Sequence, residues 1–293
     1  TVLRLMGPAV FGVAVYQINI ILSRTFASFL PSGSVTYLYY AFRLVELPQG
    51  LFIYALAAAM LPSLSGYAAR EDMEGLREAY RFALRLTLFV TLPAAAGLGV
   101  LALPVVAVLF QRGEFDAAAA ASTAWALIYQ APGIVLVAGV RQTVPVYYAL
   151  KDTKTPVKAS VVNLVCYTLL CFALMGPMLH AGISLAITLA AGAQLVVLLV
   201  LLRRRLGALG LGTVATSAAR AAIASTACGG AAYLVSRYGH WERGGNDLWN
   251  IAVLALAVLA GVVTFAGLTV ALRSPEVREI VDALRKKRKE RSS

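Results

Sequence analysis

Arg43 and Glu46 stand three residues apart in a stretch, residues 36–62, that holds no other charge. Residues at that spacing share a helical face, so the two side chains can meet as an ion pair. A charge at the bilayer centre costs at least about 2.5 kcal/mol on the insertion scale, which makes any charge inside an apolar run a candidate for function. Two more arginines break such runs, Arg24 in 7–29 and Arg141 in 118–149. The Arg43–Glu46 pair has two readings. Either it only neutralises itself, or it lines a wet cavity in which Arg43 presents a planar five-donor fork to phosphate oxygens and Glu46 orients it. Pro48 removes a backbone hydrogen bond and Gly50 loosens the helix, a hinge of the kind found where membrane helices break around a ligand. Arg141, in the inner half of its span, can snorkel or face a cavity. Arg24, near the outer end of its own, has the same two options. Asn19, Gln17 and Asn163 are uncharged polar residues explained by interhelical hydrogen bonds, with cation coordination as the alternative.

The elements that must position these residues are membrane helices. Of 293 residues, 60% are apolar and 14% charged, against roughly 25% charged in a soluble domain. That balance excludes a soluble enzyme. About 20 helical residues cross a hydrocarbon core, and eight such runs can be marked, at 7–29, 36–62, 84–110, 118–149, 156–177, 181–202, 216–237 and 248–272. They are too long for outer-membrane strands and lack period-two alternation. Pro93, Pro104, Pro132 and Pro145, with Gly97, Gly99, Gly133 and Gly139, predict that the third and fourth runs bend. Alternate connections carry 20 Lys and Arg against 3 on the other side, which places both termini in the cytoplasm. Segment 66–83 mixes Arg with Asp and Glu, and reads as a solvated connector or a short amphipathic surface helix. The tail, 273–293, holds the run Arg285 to Arg291, which favours anionic phospholipid headgroups at about 1 kcal/mol per basic residue. Without interleaved aromatic residues it does not read as a nucleic-acid site.

Other chemistries are poorly supplied. Cys166, Cys171 and Cys228 lie in apolar runs as packing residues, and His180 and His240 are too far apart to seed a metal site. Glu114, Asp116, Glu242 and Asp247 fall in short loops without a constellation, which argues against a membrane glycosyltransferase. The Gly-rich stretch 206–212 lacks the GxxxxGK[ST] of a nucleotide loop. No cofactor is expected, and work done by the chain would draw on an ion gradient or the membrane potential. The chain opens on Thr1, and its first apolar run is too long for a signal peptide, so it reads as part of a longer polypeptide.

The runs Leu3-Arg4-Leu5-Met6-Gly7-Pro8-Ala9, Phe26-Ala27-Ser28-Phe29-Leu30, Gly33-Ser34-Val35, Tyr39-Tyr40-Ala41, Arg43-Leu44, Leu61-Pro62-Ser63-Leu64-Ser65 and Asp152-Thr153-Lys154-Thr155-Pro156-Val157-Lys158 closely resemble the MurJ (MviN) family of lipid II flippases, in the multidrug/oligosaccharidyl-lipid/polysaccharide exporter superfamily. Gly176-Pro177 and His180-Ala181-Gly182 fit as well. The resemblance implies an all-α membrane fold of fourteen helices, in two six-helix lobes plus an extra pair. The eight runs then look like helices seven to fourteen: residues 1–202 as the second lobe, 203–272 as an extra pair forming a groove for a polyprenyl tail, and 273–293 as a basic cytoplasmic tail. It implies alternating-access movement of lipid II across the bacterial inner membrane, with a first lobe supplied by the same protein or a separate chain. The runner-up is export of another lipid-linked oligosaccharide or of drugs. Arg43 matches the family's cavity arginine, Glu46 its acidic partner, and Arg141 a further basic position. Two departures stand out. Phe42 occupies a position that is acidic in some members, and the spans that hold sodium-binding aspartates in some members carry Asn19, Asn163 and Thr188 but no carboxylate, which argues against a sodium site.

Overall fold

The computed structural model describes residues 17–243 and 247–277, and among these every regular element is a helix. Helix α1 covers 17–28, α2 Ser34–Pro48, α3 Tyr54–Ala69, α4 Met73–Val100, α5 Ala102–Phe110, α6 Ala117–Ala149, α7 Lys154–Leu206, α8 Gly212–Ser236 and α9 Leu248–Ala271. Five stretches are long and apolar enough to cross a membrane: Ser34–Ala69, Met73–Val100, Ala117–Ala149, Lys154–Leu206 and Leu248–Ala271. Outward positions such as Phe29, Leu51, Phe172 and Val262 are exposed and apolar, as a lipid-facing surface requires.

Three features differ from the sequence expectation. The segment 66–83 is neither a connector nor a separate surface helix, because the turn comprises only Arg70, Glu71 and Asp72 and α4 starts at Met73. The Asp72 carboxylate accepts from the Gly75 amide at 2.9 Å, satisfying an orphan donor of the first turn. Leu76, Tyr80 and Ala83 then bury one face, while Glu74 on the other accepts from Arg77 at 2.8 Å and Arg81 at 2.9 Å. The bend expected in the third run takes the form of a break. The third run breaks at Leu101, after Gly97 and Gly99, whereas α6 is unbroken through Pro132 and Pro145. Finally, the fifth and sixth runs join without a loop: α7 reverses at Leu179, whose φ of 51° and ψ of −133° are the only non-helical values within it.

That reversal folds α7 into an antiparallel hairpin. A Cβ added at Gly182 would lie 2.6 Å from the Leu174 carbonyl carbon, so only glycine permits the two halves to approach so closely. Gln194 donates to Ser160 at 3.3 Å, and at the open end Arg205 donates to Asp152 at 2.7 Å and to the Leu150 carbonyl at 3.1 Å. Burial raises the Asp152 pKa, but the Thr155 amide and hydroxyl, Arg205 and the Lys154 amide more than offset it and hold the carboxyl below its ordinary value.

Helix α6 sits at the centre, against α2, α4, α5 and α7. Its two ends contribute to separate cores, one around Leu38, Leu127, Ile134, Tyr167 and Ile183, the other around Leu76, Tyr80, Tyr147, Leu198 and Leu202. The second lies at the end of the bundle that carries Arg70, Lys151 and Arg203 to Arg205, called the basic end below. The pair α8–α9 packs through α8 onto α4. Gly261 of α9 faces Cys228 of α8, where a Cβ would come within 3.1 Å of its Sγ, the close approach that small residues allow between membrane helices. The fully buried Glu276, just after α9, accepts from Ser217 at 2.6 Å and Ser274 at 3.0 Å, with Arg85 at 3.9 Å, and so fastens the pair to α4. The basic run from Arg285 lies outside the described residues.

Candidate functional site

A cavity of about 1110 Å³ opens between α1, α2, α3, α6 and α7. It brings together side chains that the sequence scatters over more than a hundred residues: Arg24, Arg43, Glu46 and Arg141 all line it. Three guanidinium groups against one carboxylate leave a formal excess of two positive charges. Asn19 and Asn163 line it too, and Thr188 does not.

Arg43 is held by its own helix. Its Nη1 donates to Glu46 Oε2 at 3.1 Å, and Nε and Nη2 each donate to the Tyr39 hydroxyl at 3.3 Å. The side chains of Arg43 and Glu46 are 60% and 51% exposed. Both charges therefore face the cavity and are not shut inside the helix packing. Arg141 reaches in from α6 and lays its guanidinium over the Tyr54 ring, 4.0 Å from the centroid, a cation–π geometry. Arg24 is an exposed lining residue of α1.

The hinge expected at Pro48 and Gly50 coincides with a five-residue π segment, Gln49–Ile53, between α2 and α3. A π segment pairs its carbonyls with amides five residues on, as the Gln49 carbonyl accepts from the Tyr54 amide. Gln142 of α6 donates to one of them, at Ile53, at 3.4 Å. Of the three residues considered for a cation, Asn19 donates to Asn163 at 2.9 Å, whereas Thr188 donates to the Tyr129 carbonyl at 2.8 Å. The set is therefore divided between an interhelical amide pair and an α6–α7 contact. Asp116 and Asp247 cap α6 and α9, accepting from the Ala119 and Trp249 amides at 2.8 and 3.0 Å. His180 donates from Nε2 to the Ser122 carbonyl, 2.9 Å away, between the Tyr37 and Trp125 rings.

The family whose profile is described as Lipid II flippase MurJ matches residues 1–249. The chain belongs to the MurJ family. A probable lipid II flippase MurJ of Bdellovibrio bacteriovorus is 32% identical over 95% of this chain and 53% of its own length. The lipid II flippase MurJ of Burkholderia cenocepacia is 35% identical over 70% of the chain and 40% of its own length. The chain spans about half the length of the MurJ relatives that it matches nearly throughout. A solved MurJ in an inward closed conformation superposes with a TM-score of 0.73 at 23% identity, covering 92% of this chain and 54% of that one. An outward-facing multidrug resistance MATE family transporter of the MOP superfamily gives 0.56 at 16% identity over 94% and 66%. Both likenesses show the shared fold. The MurJ match covers all the cavity residues.

Sequence reasoning overlooked Tyr39 and Tyr54 as partners of the arginines. Tyr39 had a signal, lying one helical turn before Arg43. Tyr54 had none, because its partner comes from another helix.

Proposed function

We propose that this chain forms the second lobe and the extra helix pair of a lipid II flippase, working by alternating access together with a first six-helix lobe. The observation that carries this reading is the cationic cavity, where Arg43, Arg141 and Arg24 face open space around a single Glu46. A lipid pyrophosphate with a sugar-peptide head needs such a wet basic site, and guanidinium forks suit its phosphate oxygens. The π segment after Pro48 supplies a place for the lining to bend. The membrane potential, at about 2.3 kcal/mol per charge per 100 mV, or an ion gradient would drive the cycle.

The test is a double variant in the complete two-lobe protein. Arg43→Leu with Glu46→Leu removes both charges together. It should insert and resist heat at least as well as the parent, because no unpaired charge remains, yet move lipid II at least about tenfold more slowly, the worth of a lost bidentate contact. Full activity in that variant would remove phosphate binding from Arg43.

The same proposal places the basic end in the cytoplasm of a bacterial inner membrane, with anionic lipid at the tail. Cysteines placed at Ser32 and Glu114, both exposed at the opposite end, should react with an impermeant thiol reagent added to intact cells. Cysteines at Ala69 and Thr153 should stay unlabelled until the membrane is opened. The reverse pattern would invert the direction of transport.

A further inference from the structure

The two principal cavity arginines are held in chemically different ways. Arg43 spends edge donors on the Tyr39 hydroxyl and on Glu46. Arg141 makes no hydrogen bond or ion pair among the described residues, and its Nε is both shut from solvent and without an acceptor. Its guanidinium lies over the Tyr54 ring, at 4.0 Å the closest of the three arginine–ring contacts among the described residues, against 5.2 Å for Arg43 over Tyr39. A ring over the face of a guanidinium leaves its terminal Nη donors for a ligand, whereas a carboxylate partner would consume them. Tyr39 and Tyr54 flank the π segment Gln49–Ile53 on one continuous span. A bend at that segment would move the Tyr54 ring, on which Arg141 of α6 rests, relative to Arg43.

We infer that Tyr39 and Tyr54 are the positioning residues for Arg43 and Arg141, one acting through its hydroxyl and the other through its ring face, so that a single span carries the partners that hold both arginines, Arg43 of α2 and Arg141 of α6, toward a diphosphate group. This rests on the reading of the cavity as an anionic lipid site.

The asymmetry makes it testable in the two-lobe protein, with undecaprenyl pyrophosphate as the probe and undecaprenol as its phosphate-free control. Tyr54→Leu should weaken binding of the pyrophosphate about tenfold, and Tyr54→Phe, which keeps the ring, should restore it to within about twofold. Tyr39→Phe, which keeps the ring and loses the hydroxyl, should weaken it by a similar tenfold. On an Arg141→Ala background Tyr54→Leu should add nothing, and undecaprenol binding should be unchanged throughout. If Arg141→Ala binds poorly while Tyr54→Leu binds like the parent, the positioning role is wrong and the cavity reading stands. If Tyr54→Phe is as weak as Tyr54→Leu, the ring face is not what holds Arg141. If Arg43→Ala and Arg141→Ala both bind the pyrophosphate like the parent, the cavity reading itself fails.

Discussion

Cells depleted of their flippase should fail to grow on an Arg43→Ala version of the two-lobe protein, although its membrane abundance stays near that of the parent. The side chain is 60% exposed, so its removal opens no void in the packed interior and leaves no buried charge behind. What is lost is a guanidinium already aligned by three hydrogen bonds. Arg43→Lys should fare little better. A lysine ammonium carries the charge but not the fork, and a point donor cannot meet Tyr39, Glu46 and two phosphate oxygens at once. Lipid II translocation should fall by about tenfold or more in the lysine variant, as expected for a bidentate contact reduced to a single one. Normal growth on lysine would show that charge alone suffices. Normal growth on alanine would take Arg43 out of the site altogether.

Gly182→Ala should cost stability and not affinity. The new Cβ would be pressed against the Leu174 carbonyl, 2.6 Å from its carbon and 3.1 Å from the Leu174 Cβ. These are largely backbone atoms, which cannot swing aside as a flexible side chain can. Relief requires the halves of α7 to separate, and overpacking of this kind costs about 1–3 kcal/mol. The measurement is thermal unfolding of the purified two-lobe protein beside its affinity for undecaprenyl pyrophosphate. A drop of several degrees with an unchanged affinity is expected. An unaltered melting temperature would show that the turn is looser than its geometry implies.

The sequence makes the cavity charges legible because a charge in an apolar run is expensive, so Arg24, Arg43, Glu46 and Arg141 announce themselves one by one. Their meeting in a single cavity is a tertiary fact. The hinge was readable from Pro48 and Gly50, whose local effect on a helix does not depend on neighbours. The start of α4 was not, because Glu74, Arg77 and Arg81 raise the charge of its first turns and mask the stripe Leu76, Tyr80 and Ala83 that buries them. Glu276 was invisible for a similar reason. A carboxylate opening a basic tail reads as a helix start, and only its contact with Ser217, 59 residues earlier, explains how it can be fully buried. Thr188 fell on the wrong side of its helix because no pattern in the sequence distinguishes a residue lining a cavity from one packed on α6.

The two fastenings of the α7 hairpin bear on how such a bundle can move. At one end the halves share the single reversed residue Leu179, with no slack in the chain; at the other, Arg205 grips Asp152 and the Leu150 carbonyl. A strip pinned at both ends behaves as one plank: it can tilt, but it cannot open like scissors. If the cavity is to admit cargo from one side and then from the other, the seam must run elsewhere. The joint that differs is the span that carries both tyrosines, where a π segment replaces the regular hydrogen-bond ladder and the tie to α6 is the Gln142 donation to the Ile53 carbonyl.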